Sequence, residues 1–160
     1  MDNTRKKTIL KIGKRVVLIG LVIGIAIQFY RPDKNIQAER TKDDFLLYEK
    51  APESVSKLVV NSCYDCHSNY TDYKWFDHIA PGTWLVDNHI KEGKEHLNLS
   101  KWGKMDYRDK RSLLSKMATN INDGTMPLSD YTFIHTDAIL SEEEKAEILT
   151  WLFTIEIPAN

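Results

Sequence analysis

The hydrophobic and polar positions of this chain predict two unlike regions. A basic N-terminus leads into an uncharged apolar run, VVLIGLVIGIAIQFY, over residues 16–30. The stretch that follows, residues 31–42, is polar and aperiodic, which is typical of a linker. Beyond it, apolar residues recur at the spacing of amphipathic helices. We therefore expect an N-terminal segment at residues 1–30, a linker at 31–44 and a folded domain at 45–160.

Four helices of the folded domain can be placed from their apolar faces and their end signals. In chain order, the signals are Pro52 for the first, Pro81 for the second, Asp106 and Gly124 for the third, and a capping box of Ser141 and Glu144 for the fourth. Strand signals are nearly absent, and no internal repeat is visible. The predicted fold class is all-α.

The N-terminal segment has the charge pattern of an export signal or a membrane anchor. Six cations precede the apolar run: Arg5, Lys6, Lys7, Lys11, Lys14 and Arg15. The run would be about 22 Å long as a helix, which is short for a hydrocarbon core of about 30 Å, although the apolar stems of nearby residues extend it. We favour an uncleaved anchor over residues 9–30 in a bacterial inner membrane, with the N-terminus inside and the folded domain outside the cytoplasm. A cleaved export signal, with small residues at Gly24 and Ala26, and a buried core helix are the other interpretations.

The charge of the remaining chain limits its partners. Residues 31–160 contain 16 Lys and Arg against 22 Asp and Glu, a formal charge of −6. Nucleic-acid binding would need a basic patch, so no nucleic-acid partner is expected. A mildly acidic surface suits partners with a complementary basic surface, and it also suits plain solubility.

The two cysteines of the chain lie in the stretch VVNSCYDCHSN, with a histidine directly after them. Residues three apart share one face of a helix, so Cys63 and Cys66 can add to the two vinyl groups of one porphyrin. His67 would then lie beneath the iron as an axial ligand. The predicted cofactor is therefore one covalently bound haem c.

Other uses of a C-x-x-C stay open at this point. Tetrahedral zinc needs four ligands, and the other histidines include no pair at zinc-finger spacing. A thioredoxin-like dithiol follows a strand in a βαβ unit, which is not readable here. The motif could also be a chance arrangement of buried thiols.

The sixth position of the iron is predicted from the methionines. Met126 lies between a helix-ending Gly124 and Pro127, and a thioether on a stiff loop can be directed at a metal. Met117 lies on an apolar helix face, Met105 lies in a polar stretch, and Met1 is on the cytoplasmic side. We predict Met126 as the distal ligand, with a histidine or no ligand as the alternatives.

The histidines rank differently as alternative ligands. His135, in the loop beyond Met126, is the best of them, whereas His89 is expected to be a packed core residue. His78 and His96 are expected to be solvated or capping residues.

The chain resembles the haem-binding domain family of bacterial envelope proteins, a divergent relative of single-haem class I cytochromes c. The similar stretches are FYRPDKN, then NSCYDCHSNYTDYKWFDHIAPGTWLVDNHIKEGKEHLN, then DGTMPLSDYTFIHTDAILSEEEKAEILTWL, which together cover most of the chain. The resemblance implies a cytochrome c-like domain with Cys63 and Cys66 as thioether residues, His67 as the proximal ligand and Met126 as the distal ligand. It also implies that residues 55–60 pack across residues 148–155. Residues 70–105, with Trp84 and Trp102, depart from the pattern. They could line the haem site or form a docking surface, and extra core is the favoured role.

Three functions follow as hypotheses. The leading one is a membrane-attached carrier of single electrons that exchanges them with redox proteins of the envelope. The second is a haem sensor or a peroxidase-like enzyme with a displaceable distal ligand, in which His135 or Arg108 would act on the bound molecule. The third is a thiol or zinc protein without haem.

Overall fold

The structure is a computed structural model and describes residues 3–158. Met1, Asp2, Ala159 and Asn160, which the predicted boundaries 1–30 and 45–160 include, lie outside the described residues. The chain divides into two compact units. The smaller unit contains Met1–Lys34 and Tyr73–Asn88, and the larger unit contains Asn35–Asp72 and His89–Asn160.

Helices form nearly all of the regular structure. The α-helices are α1 (Asn3–Ala26), α2 (Phe45–Tyr48), α3 (Glu53–Val59), α4 (Asp65–His67), α5 (Gly82–His96), α6 (Tyr107–Asn122), α7 (Ser129–Thr132) and α8 (Glu142–Thr154). A π-helical turn spans Val60–Tyr64, and 3₁₀ turns span Ile27–Phe29, Trp75–His78, Leu99–Lys104 and Thr136–Ala138. Between residues 3 and 158, extended pairing is limited to one bridge between Ile36 and Tyr70. The all-α prediction is confirmed.

The predicted helix ends are close to the observed ones. The side chain of Asp106 caps α6 by accepting from the backbone N–H groups of Arg108 and Asp109, and Gly124 follows that helix with φ of +67°. The capping box of Ser141 and Glu144 is present at the start of α8. Pro52 differs by one position, because it lies at the N-cap of α3 rather than inside the helix.

The core of the larger unit surrounds three aromatic rings. Phe45 packs against Trp102 and Trp151 at centroid distances of 4.8 and 5.1 Å. Around them, α3 contacts α8, as the resemblance implied, and α6 also contacts α8. Trp102 is fully buried, so this part of the 70–105 stretch is core, as expected.

In the smaller unit, residues 73–88 pack at the end of α1. The amide of Gln28 donates to the carbonyl of Ala80 and accepts from its N–H, at 3.0 and 2.9 Å. The indole of Trp84 donates to the carbonyl of Tyr30 at 2.9 Å. Trp84 therefore packs in the smaller unit, unlike Trp102, which lies in the core of the larger unit.

The predicted membrane-spanning helix is not found. Within residues 3–158, no helix combines the length and the apolar character that crossing a bilayer requires. In α1 the reason is that Lys11, Lys14 and Arg15 lie inside the helix and leave only its second half uncharged.

Candidate haem site

The cysteine motif lies on one nearly continuous helical segment of the larger unit. The segment starts as α3, widens into the π-helical turn Val60–Tyr64 and ends as α4. Cys63 lies in the π turn, and Cys66 and His67 lie in α4. π-helical turns within α-helices occur frequently at functional sites, because they change the direction in which side chains point.

A glycine lets the end of α5 approach the motif closely. A Cβ placed on Gly93 would lie 2.6 Å from the carbonyl oxygen of Cys66 and 3.2 Å from the Cβ of Cys66. Real Cβ atoms are not found at the shorter distance, so only glycine allows α5 to come this near to the motif.

The imidazole of His67 is oriented from the same side. Its Nδ1 lies 3.1 Å from the carbonyl oxygen of Leu97, the residue after α5. A carbonyl can only accept, so Nδ1 carries the proton and Nε2 keeps its lone pair. Burial lowers the pKa of His67, against the opposing effect of this hydrogen bond. The neutral ring is the form that binds a metal through Nε2.

Met126 is positioned by the way α6 ends. The N–H of Gly124 donates to the carbonyl of Ile121, and the N–H of Thr125 donates to that of Asn120, which together make a Schellman motif. The N–H of Met126 also donates to the carbonyl of Asn120, at 3.2 Å. The backbone of Met126 is therefore tied to the last turn of α6.

The motif and the methionine loop line one cavity of about 450 Å³, a size typical of sites for small molecules and cofactors. Its lining includes Cys63, Cys66, His67 and Met126. Apolar side chains cover much of the remainder: Leu97, Leu99, Leu113, Met117, Ile121 and Leu128. The predicted site residues are thus brought together, and Met117, predicted to be core packing, lines the same cavity.

The other candidates are placed differently from what the sequence suggested. His89 and His96, predicted as core and as solvated, both line the cavity, with His89 half-buried and His96 exposed. His135 is buried but does not line it, and neither does Met105 or Arg108.

The thiols do not have the lowered pKa of a redox-active pair. Burial raises the pKa of Cys63 to about 12, with a smaller contribution from Cys66, and burial raises that of Cys66 to about 11. Reactive cysteines have the opposite shift. Within residues 3–158, no three His, Cys, Asp or Glu side chains are grouped so that they could hold a metal ion.

The donor set fits a covalently held haem. Two neutral thiols lie one turn apart, a neutral imidazole follows them, and a thioether from a separate loop faces the same largely apolar cavity. A c-type haem with histidine and methionine ligands uses this combination of attachment points, nitrogen and sulfur donors, and apolar surroundings.

Comparison with known proteins agrees with this helical haem-type site. The haem-binding domain family matches residues 22–154, more than half of the chain, and the chain belongs to that family. Cytochrome c peroxidase Ccp of Escherichia coli (strain K12) is 32% identical over 98 residues, which is 59% of this chain and 21% of that protein. The chain thus spans about a fifth of the length of this curated relative. No solved structure has significant similarity to it.

Two parts of the site were missed from the sequence. The close approach of Gly93 to Cys66 was not predicted, although a glycine inside a helical pattern is a recognised signal of tight packing. Tyr131, which lines the cavity, carried no signal of its own. Its role depends on Asp65, a partner 66 residues earlier in the chain.

Proposed function

We propose that this protein is a single-haem c-type electron carrier. The observation that carries the proposal is that Cys63, Cys66, His67 and Met126, from separate parts of the larger unit, line one cavity. In this proposal the two cysteines hold the haem through thioethers, and His67 and Met126 are its axial ligands. The bound haem iron would supply reversible one-electron chemistry.

Each residue has a defined task in this function. The thiols of Cys63 and Cys66 add across two vinyl groups, each forming one C–S bond while the thiol hydrogen passes to the other vinyl carbon. His67 offers Nε2, because its Nδ1 is bonded to the carbonyl of Leu97. The leucines of the cavity exclude water, which favours the less charged state of a redox centre.

Mass spectrometry of protein matured with c-type haem machinery tests the attachment. The expected mass is that of the polypeptide plus one haem, and the colour should survive acid–acetone extraction. Cys63→Ser and Cys66→Ser should each leave at most one thioether and shift the reduced pyridine–haem band, while His67→Ala should prevent a stable holoprotein. A wild-type mass equal to the bare polypeptide would refute covalent attachment.

A haem enzyme acting on peroxide is the second candidate, because of the similarity to cytochrome c peroxidase Ccp. The residues expected to act in it, His135 and Arg108, do not line the cavity. His89 and His96 do line it, and they are the imidazoles besides His67 that could exchange protons there. Steady-state oxidation of a reduced donor by hydrogen peroxide, lost in a His89→Gln or His96→Gln variant, would favour this candidate over a carrier.

We also propose that the N-terminal segment attaches the protein to a membrane, with the larger unit outside the cytoplasm. The large apolar side chains of α1 from Ile9 to Ile25 are all more than half exposed, and basic residues precede most of them. Such a surface favours lipid contact. Detergent, rather than high salt, should release the protein from membranes, and a reporter fused after Asn160 should be active only outside the cytoplasm. Recovery of the full chain in the soluble fraction would contradict this.

A further inference from the structure

A hydrogen bond connects the methionine loop to the cysteine motif. The hydroxyl of Tyr131, in α7, donates to Oδ2 of Asp65 at 2.7 Å, across 66 residues of sequence. Asp65 lies between the two cysteines of the motif. The same hydroxyl is 3.5 Å from the carbonyl oxygen of Asn61, one turn earlier on the motif segment. We call the Tyr131–Asp65 hydrogen bond the bridge.

Both oxygens of Asp65 are used. While Oδ2 accepts from Tyr131, Oδ1 accepts from the backbone N–H of Asp72 at 2.8 Å, and the Asp65 carbonyl accepts from the hydroxyl of Thr71 at 2.7 Å. The carboxylate is therefore fixed in orientation before Tyr131 reaches it. Hydrogen bonds to a charged acceptor are about twice as strong as those between neutral groups.

The ring of Tyr131 is also fixed, by His135. The two rings stack with centroids 4.2 Å apart and planes 13° from parallel, and His135 is buried. Nδ1 of His135 lies 3.2 Å from the carbonyl oxygen of Tyr131, one turn earlier. This accounts for a buried histidine that does not line the cavity: it supports the residue that makes the bridge.

Few apolar contacts hold the same part of the chain. After Pro127, the side chains of Phe133 and Ile134 are 85% and 55% exposed, and neither lines the cavity. Because so little apolar surface is buried here, polar contacts have more weight in keeping the segment against the motif. Tyr131 and Met126 lie five residues apart in this segment and line the same cavity, so we expect a shift of one to be passed on to the other.

We propose that Asp65 and Tyr131 are positioning residues that hold the Met126 loop over the haem site and keep external ligands away from the iron. The inference rests on the proposed function, in which Met126 is the distal ligand. The free energy of a hydrogen bond to a charged group is typically large enough to change an open–closed equilibrium by about 10- to 100-fold. Apparent affinity for a ligand that needs the open state rises by the same factor.

Imidazole binding to the ferric holoprotein measures this directly. Tyr131→Phe keeps the ring that stacks on His135 and removes only the hydroxyl, so the variant should fold. We expect it to raise imidazole affinity about 10- to 100-fold and to weaken the far-red sulfur-to-iron band. Asp65→Asn should act in the same direction, and the double variant should add little to either single change. Tyr107→Phe, which removes a hydroxyl bonded to Arg108 on α6, is the matched control and should change neither signal.

Hydrogen exchange of the holoprotein distinguishes a failure of the Met126 ligand assignment from a failure of the positioning role of Asp65 and Tyr131. Amides of residues 124–135 should exchange faster in Tyr131→Phe than in wild type. If wild type lacks the far-red band, the ligand assignment fails while exchange still reports on the bridge. If wild type has the band, imidazole affinity in Tyr131→Phe within twofold of wild type, or unchanged exchange, would overturn the positioning role. Fully additive effects of Asp65→Asn and Tyr131→Phe would overturn it too, because partners in one contact are not additive.

Discussion

The two walls of the haem cavity are built in different ways. The motif wall, residues 53–67, is held by close backbone packing, with Gly93 against Cys66 and with Val55, Val59 and Tyr64 almost fully buried. The loop wall, residues 123–135, is mostly exposed and is held by hydrogen bonds.

This difference separates two tasks. In the proposed function, thioether attachment and the proximal ligand need a fixed spacing, which backbone packing supplies, since a packed interior does not deform continuously. The distal ligand needs only to be kept near the iron, and a few hydrogen bonds are sufficient for that. Substitutions in the motif wall should therefore affect whether holoprotein forms, while those in the loop wall should alter its redox and ligand-binding properties.

The largest expected effect is on the loop wall. A thioether favours ferrous over ferric iron, so Met126→His should lower the reduction potential. Axial ligands span about 0.8 V among haem proteins; a quarter of that range is about 0.2 V, or on the order of 5 kcal/mol at about 59 mV per tenfold. Redox titration measures the shift.

Met117 provides the control, because it lines the same cavity from α6. Met117→Leu should leave both the potential and the far-red band unchanged, whereas Met126→Ala should open the iron to cyanide. Should the band survive Met126→Ala and vanish in Met117→Leu, the ligand comes from α6 and the proposed role of the loop wall is wrong.

The next largest effect is on stability, and it compares one glycine at each wall: Gly93, which packs against the motif wall, and Gly124, which lies in the loop wall. Gly93→Ala would place a Cβ 2.6 Å from a backbone oxygen, so we expect it to reduce the free energy of unfolding by about 2 kcal/mol and to lower holoprotein yield. Gly124→Ala has free space, with its nearest contact at 3.9 Å, and should cost about 1 kcal/mol through its positive φ alone.

Substitutions that separate the two causes sharpen this comparison. Asparagine tolerates a positive φ, so Gly124→Asn should cost less than Gly124→Ala, while Gly93→Asn should cost more than Gly93→Ala. Gly82→Ala, at the other end of α5 with its nearest contact at 3.7 Å, should be neutral or slightly stabilising. Urea unfolding measures all five variants, and equal losses at positions 82 and 93 would contradict a steric role for Gly93.

What the sequence could predict follows from how local each signal is. The caps of α6 and α8 depend on residues three or four apart, and both were predicted at the right positions. The C-x-x-C-H spacing and the methionine between Gly124 and Pro127 are local in the same sense, and the structure places these residues at one cavity.

What the sequence could not predict depends on contacts between distant segments. The π-helical turn, the approach of Gly93 to Cys66 and the pairing of Tyr131 with Asp65 leave no periodic trace. His135 stacks on Tyr131 only four residues away, but the place of Tyr131 itself depends on Asp65. For that reason the histidine was a candidate ligand on sequence grounds. The prediction of a membrane-spanning helix gave too little weight to Lys11, Lys14 and Arg15, because these charges lie inside α1 and shorten its uncharged part.

The smallest expected effect is on stability, and it concerns Asp44, which contacts Tyr64 of the motif wall. Tyr64, between Cys63 and Asp65, donates to Oδ1 of Asp44 at 2.7 Å, and the N–H of Leu46 donates to the same oxygen at 3.2 Å. Asp44 is fully buried, and its Oδ2 has no hydrogen-bond partner within the described residues. Burial raises the pKa of Asp44, although Tyr64 and the charge of Arg40 act against this.

The sign of the pH dependence follows from that shift. With a pKa higher in the folded than in the unfolded state, the folded state binds this proton more tightly. The contribution of Asp44 to the free energy of unfolding is therefore greatest in acid and declines as the pH rises from about 3.8 through the folded pKa. Asp44→Asn keeps an oxygen that can accept both hydrogen bonds and cannot ionise. It should gain stability relative to wild type between pH 4 and pH 7, as measured by urea unfolding.

The control is the same substitution at an exposed cap. Asp106→Asn, at the start of α6, preserves the two hydrogen bonds of that cap at 2.8 and 2.9 Å without a buried carboxylate. Its stability relative to wild type should not rise with pH in the way expected for Asp44→Asn. Protonation of His67 affects every variant alike and cancels in the difference. If the wild type instead becomes more stable relative to Asp44→Asn as the pH rises, the buried carboxylate stabilises the motif wall through its charge. The contact of Asp44 with Tyr64 would then resemble the charged contact that Asp65 makes with the loop wall.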